Sequence, residues 1–140
     1  GAQEAEAGTI VVSVSPRTEQ AQIPGRRVPP WDQMLGAALK LGVQGLGLNC
    51  GGGAAHLAPL ALKLCQAAKV PVWIKASAGI PRVDVGKMDY PIDSRSFMRF
   101  VPPLVEAGVK FIGGCCGTTP EYIEYVRVWV DNYQENLLPV

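Results

Sequence analysis

The sequence predicts an α/β domain built on a parallel sheet with helices packed over it. Three observations carry that expectation. Short β-branched or apolar runs recur four times, at residues 9–15 (TIVVSVS), 43–50 (VQGLGLNC), 70–77 (VPVWIKAS) and 108–116 (GVKFIGGCC). Stretches with helical spacing lie between and after these runs. Each run passes into a Gly- or Pro-marked loop, and the unusual polar residues collect just past the run ends. Strands alternating with helices make a parallel sheet, either open and doubly wound or part of a (β/α) barrel. In both architectures, sites are built at the C-terminal ends of the strands.

Each element has its own signal. Residues 31–41 (WDQMLGAALKL) place Met34, Leu35, Ala38, Leu39 and Leu41 on one broad helical face. Residues 54–69 are rich in Ala and Leu. Residues 94–107 place Phe97, Phe100, Val101, Leu104 and Val105 at helical spacing, with Pro102 and Pro103 as a kink point. Residues 119–132 carry Ile123, Val126 and Val130, with Tyr133 following at the same spacing. Pro120 suits the first helical position, with Thr118 or Thr119 as the cap. Gly42 and Gly108 each end a helix just before a strand begins. The sequence DYP at 89–91 reads as a plain turn into the next helix.

Composition excludes several classes. A chain of 140 residues makes one ordinary domain, and 48% apolar content can fill a core. The net charge of +1, from 13 basic and 12 acidic residues, gives no electrostatic basis for binding nucleic acid or an anionic membrane. No apolar run is long enough to span a bilayer. The start, GAQEAEAG, has the character of neither a signal peptide nor a transit peptide, so a cytoplasmic location is expected.

Four cysteines remain: Cys50, Cys65, Cys115 and Cys116. Nothing else suggests a secreted disulfide scaffold, and adjacent cysteines rarely bridge each other. Cys65 sits mid-helix among Leu62, Leu64 and Ala68 and reads as core. Cys50, Cys115 and Cys116 all fall at strand C-termini, which share one face of a parallel sheet. Three thiolates suit Zn²⁺ and leave a fourth tetrahedral position open, as a catalytic zinc requires. A thiol bound there loses its proton near neutral pH. Gly113, Gly114 and Gly117 let the backbone turn so that neighbouring cysteines can face one ion. The helix starting near Thr119 aims its positive end at the cluster.

GLNC (47–50) and GGCCGTTPEYI (113–123) resemble the paired signatures of the homocysteine S-methyltransferase family. That family includes the homocysteine-binding module of cobalamin-dependent methionine synthase and betaine–homocysteine methyltransferase. KASAGIP (75–81) is similar to its segment after the seventh strand. The resemblance runs from about residue 9 to residue 133, in the family's order. It implies a (β/α)₈ TIM barrel of which this chain supplies the C-terminal half, four βα units resembling strands five to eight. Residues 1–140 are then a partial homocysteine-binding domain, a C-terminal fragment of a longer chain.

The resemblance also implies a function. Zn²⁺ would sit on Cys50, Cys115 and Cys116, and homocysteine would be methylated to methionine. The donor would be methyl-cobalamin, methyl-folate, betaine or S-methylmethionine, with any cobalamin or folate module outside this chain. Where the family often reads Lys-Pro-Asn-Ala-Gly, this chain has Lys75, Ala76, Ser77, Ala78 and Gly79. Some members hold that Asn near zinc; Ser77 offers a hydroxyl instead. Asn49 and Ser77 are therefore the candidate substrate-binding residues.

Plainer readings stand beside these. His56, the single histidine, reads as an early-helix surface residue, although it could serve as a base. Asn49 reads first as a loop-fixing side chain. Lys75 could orient a carboxylate or be a paired strand residue. Trp31, Trp73 and Trp129 read as packing, and Arg26 and Arg27 as solvated loop charges. Two other functions compete: a metal-free, Gly-rich phosphate or small-molecule site near Thr118, and redox chemistry of the adjacent thiols.

Overall fold

The computed structural model describes residues 8–16 and 29–135. Arg26 and Arg27 lie outside them. In chain order the elements are β1 (Val11–Val14), α1 (Trp31–Lys40), β2 (Gly45–Cys50), α2 (Ala54–Ala67), β3 (Val72–Ala76), β4 (Arg82–Asp84), β5 (Lys87–Asp89), α3 (Ser94–Met98), α4 (Val101–Glu106), β6 (Phe111–Gly114) and α5 (Pro120–Glu135). Among the described residues no helix is long and apolar enough to cross a membrane.

All four expected strands pair in parallel, in the order β1-β2-β3-β6. This order follows the chain and never reverses. A doubly wound sheet needs a reversal, and its ligand crevice lies there. The sheet therefore winds one way only, like a sector of a TIM-barrel-like domain. Its outer strands, β1 and β6, each have one unpaired edge among the described residues.

The two faces of the sheet differ. Leu46 and Leu48 on β2 register with Val72 and Ile74 on β3, and all four are at most 3% exposed beneath the helices. Burying each such side chain contributes about 1.5–3 kcal/mol relative to exposure. The alternate residues look the other way. Val11 and Phe111 are 38% and 48% exposed there, and Trp73 stacks on Phe111 at 4.5 Å. Parallel sheets are normally covered on both faces; here one face is left uncovered by the described residues. Gly47 on that face has no room for a side chain, because a Cβ would lie 2.6 Å from the Trp73 carbonyl oxygen. A groove of about 740 Å³ follows β6, lined in part by Trp73, Lys75, Phe111 and Val126.

Several details depart from expectation. The apolar face of α1 is narrow: Leu35 and Ala38 are buried, whereas Met34, Leu39 and Leu41 are exposed. On α5 the buried residues are Tyr122 and Val126, and Ile123 is exposed. The single helix expected over 94–107 is two short ones. Pro102 and Pro103 lack N–H donors, so they fit only the first turn of a new helix, where none is needed. Between β3 and α3 lies an unanticipated antiparallel hairpin, β4–β5. Its three-residue strands are too short for a periodic signal. The two glycine stops hold as expected: Gly42 and Gly108 have φ of +75° and +89°.

Asp93 caps α3 by accepting from the Ser96 N–H at 2.7 Å, and that bond holds its carboxyl below the ordinary range. A depressed carboxyl contributes stability above its unfolded pKa of about 3.9, and that contribution fades as pH falls through the lower folded value. Asp93→Asn keeps an acceptor oxygen but cannot titrate. The acid limb of the stability–pH curve, followed by urea unfolding, is expected to be shallower in this variant.

Candidate metal centre

The site forms where β2, β3 and β6 end. Cys50 closes β2 in the left-handed region, with φ of +59°, and Gly51 repeats that value. The turn swings Cys50 out of the strand pleat and over the end of β3. On the other side, Cys115 donates its N–H to the Ala76 carbonyl at 2.8 Å, which extends the β3–β6 ladder one residue past the strand. Ala78 donates its N–H to the Cys116 carbonyl at 2.9 Å. The double cysteine therefore lies beyond the regular strand, where both thiols can turn to one side. Thr118 closes the loop by donating its hydroxyl to the Cys115 carbonyl at 2.7 Å. That hydroxyl serves the cysteine turn.

The three thiols meet. Cys50 Sγ is 3.4 Å from Cys116 Sγ, Cys115 Sγ is 3.9 Å from Cys116 Sγ, and all three lie within 4.8 Å of one another. None is in a disulfide. Tetrahedral zinc with Zn–S bonds of about 2.3 Å places its sulfur ligands about 3.8 Å apart. The cluster fits such an ion in both donor type and spacing. Cys116 is exposed, so the cluster opens to solvent on its side.

The thiols are electrostatically unequal. Burial, the hydrogen bonds to Cys116 and Cys115, and repulsion from those neighbours push Cys50 up to about 12. At Cys115 burial also pushes upward. There it is outweighed by hydrogen bonds from Cys50 and Cys116 and by the charge of Lys75, so the net shift is downward. Cys65 lies against the core from α2, and burial raises its pKa, as a packing cysteine requires.

The remaining candidates take distinct places. Asn49 registers with Lys75 on the bare face, and its Oδ1 accepts from the Ser13 hydroxyl at 2.7 Å. Ser77 is 1% exposed, and its hydroxyl donates toward the Cys50 and Gly79 carbonyls, each at 3.3 Å. It supports the backbone of the Cys50 turn from below. His56 is not the surface residue expected. It is half-buried beside Gly51, and its Nε2 is buried with no hydrogen-bond partner among the described residues. The DYP segment is more than a turn, because the Tyr90 ring lies directly on Gly117, next to Cys116. Nothing in its local sequence marks that contact, which joins residues 27 positions apart.

The fold and site define an α/β protein with a three-thiol cluster at the C-terminal ends of a singly wound parallel sheet. The homocysteine S-methyltransferase family model matches residues 2–130. The chain belongs to that family. It is 33% identical over 110 residues to methionine synthase of Mycobacterium leprae, covering 75% of this chain and 9% of the relative. It is 35% identical over 103 residues to methionine synthase of Mycobacterium tuberculosis, covering 70% and 9%. A Drosophila melanogaster betaine-homocysteine S-methyltransferase is 30% identical over 90 residues, covering 62% and 27%. The chain thus spans about a tenth of the mycobacterial relatives.

The thiolate, not the thiol, is the nucleophile. In the metal-free chain iodoacetamide is expected to label Cys115 from a lower pH than Cys50, whose labelling climbs only as pH approaches 12. Peptide mapping across a pH series reads the order; Cys50 reacting first would contradict it.

Proposed function

We propose that this chain is the C-terminal half of a (β/α)₈ barrel that transfers a methyl group to homocysteine, giving methionine, with Zn²⁺ held by Cys50, Cys115 and Cys116. The observation that carries this reading is the convergence of thiols 66 residues apart into a cluster with zinc-like spacing and one open side. Family membership supports the reaction class. The unpaired edges of β1 and β6 and the bare face between them are what a half-barrel would present.

Zinc bound there would supply Lewis acidity, keeping the homocysteine sulfur a thiolate at neutral pH. The residues of the chain divide the remaining work. Ser77, buried under the Cys50 carbonyl, keeps the left-handed turn from relaxing and so fixes where Cys50 points. Asn49 and Lys75 face the barrel interior, where Asn49 contacts the substrate and Lys75 offsets negative charge at the cluster. Exposure of Cys116 leaves the approach side open to substrate and donor. The donor is methyl-cobalamin, methyl-folate, betaine or S-methylmethionine, delivered from outside these residues.

The competing readings fare less well. The glycines that suggested a phosphate cradle are already covered, Gly114 by Thr118 and Gly117 by the Tyr90 ring. The redox reading concerns Cys115 and Cys116, whose adjacency strains a bridge between them, and it gives no role to Cys50, whose Sγ comes within 3.4 Å of Cys116 Sγ.

Elemental analysis tests the proposal. The folded chain is expected to hold about one zinc, and Cys50→Ser, Cys115→Ser and Cys116→Ser each to lose it. Titration of homocysteine into the zinc-loaded chain should release a proton as its thiol ionises. A folded wild type that takes up no zinc when offered it would overturn the reading.

A further inference from the structure

Three glycines in the site loops are needed for one shared reason. Gly53 follows β2, Gly79 follows β3 and Gly117 follows β6, with φ of +95°, +99° and +77°. A Cβ on Gly53 would lie 3.0 Å from both Ile92 Cδ1 and the Gly79 Cα. On Gly79 it would lie 2.8 Å from Pro91 Cγ, and on Gly117 it would enter the Tyr90 ring. Three consecutive residues, Tyr90, Pro91 and Ile92, thus rest on three glycines from three loops. The tripeptide is tied down as well. Ile92 donates its N–H to the Ala78 carbonyl at 3.0 Å, and its own carbonyl accepts from the Tyr122 hydroxyl at 2.6 Å. Ala78 also donates to the Cys116 carbonyl, so the strap and the thiol loop share one anchor.

Cys116 is held through its backbone, by the Ala78 N–H on its carbonyl. It is exposed, and among the described residues its thiol meets the other two thiols. The direction of its side chain therefore follows from the backbone turn through Gly117, a glycine in the left-handed region that is free to relax unless something covers it. The Tyr90 ring is that cover. Pro91 keeps Tyr90 out of helical geometry, which suits a strap crossing the loops. Among the described residues the Tyr90 hydroxyl reaches only Met88 Sδ, at 3.3 Å, on the exposed hairpin. The ring, rather than the hydroxyl, makes the contact with the thiol loop.

We propose that Tyr90 is a positioning residue for the three-thiol cluster, its ring pinning Gly117 so that Cys116 Sγ stays within reach of Cys50 Sγ. The metal consequence rests on the zinc reading above; the placement of the thiols does not. Two measurements on the whole chain separate these. The first is zinc affinity by chelator competition, with Co²⁺ as a spectroscopic probe of thiolate ligation. Tyr90→Phe keeps the ring and should bind within about twofold of wild type, whereas Tyr90→Ala should bind about 10–100-fold more weakly. Leu35→Ala, a core change on α1 at a residue 1% exposed, controls for lost stability. Wild-type affinity in Tyr90→Ala, or an equal loss in Leu35→Ala, overturns the proposal.

The second measurement is the rate at which diamide, taking up two hydrogens, oxidises Cys50 and Cys116 to a disulfide in the metal-free chain. Tyr90→Ala should react about tenfold or more slowly, with Tyr90→Phe like wild type. Equal rates overturn the proposal. A wild type that binds no zinc but shows this difference would retire the metal and leave the role of Tyr90 standing.

Discussion

The site depends on one geometric constraint: its thiols come from strands that are not neighbours. β2 and β6 flank β3, so they stand about two strand spacings, or 9–10 Å, apart. Side chains rising straight from those strands would miss each other. The loops solve this from both sides. Cys50 takes a left-handed conformation that leans it over β3, and the β3–β6 ladder runs on to Cys115 before the chain turns. β3 must then end in small residues. Ala76, Ser77 and Ala78 are each at most 3% exposed, beneath the place where the thiols meet. Ala76 and Ala78 belong to the packed core, where a larger side chain would have no room. Ser77 adds a hydroxyl that supports the Cys50 carbonyl, so this small residue also holds the strained turn.

The same sheet divides packing from chemistry. Residues facing the helices are Leu, Ile, Val and Ala, and they hold the fold. Residues on the other face include Ser13, Asn49, Trp73, Lys75 and Phe111, a mixture of polar groups and exposed aromatic surface. Along β2 and β3 the alternation appears as two kinds of sequence pattern. Leu46 and Leu48 alternate with Gly45 and Gly47, which leave room for neighbouring strands. Val72, Ile74 and Ala76 alternate with Trp73 and Lys75. Polar side chains on that face sit close enough to act on the cluster, as the pull of Lys75 on Cys115 illustrates.

Much of this was legible in the residues themselves. The four strands, the glycine helix stops and the first-turn Pro120 are local matters of β-branching, positive φ and a missing N–H, so short windows of sequence contain them. The meeting of the three thiols was legible because all three cysteines fall at strand C-termini, which share one face of a parallel sheet. The break between α3 and α4 was half legible: two prolines announced a disturbance, but whether the helix bends or restarts depends on packing around Phe97 and Val101. The hairpin was not legible at all, since its side chains are exposed and carry no burial pattern.

By itself the sequence determined the four sheet strands, their parallel direction and the residue types that can bind a soft metal, because these follow from backbone stereochemistry and side-chain chemistry. Only the tertiary structure decided the strand order, the burial of the His56 Nε2 and the seating of Tyr90 on Gly117. Those are contacts between segments distant along the chain. Their energies depend on shape complementarity in three dimensions, and no periodicity or motif along one dimension encodes it.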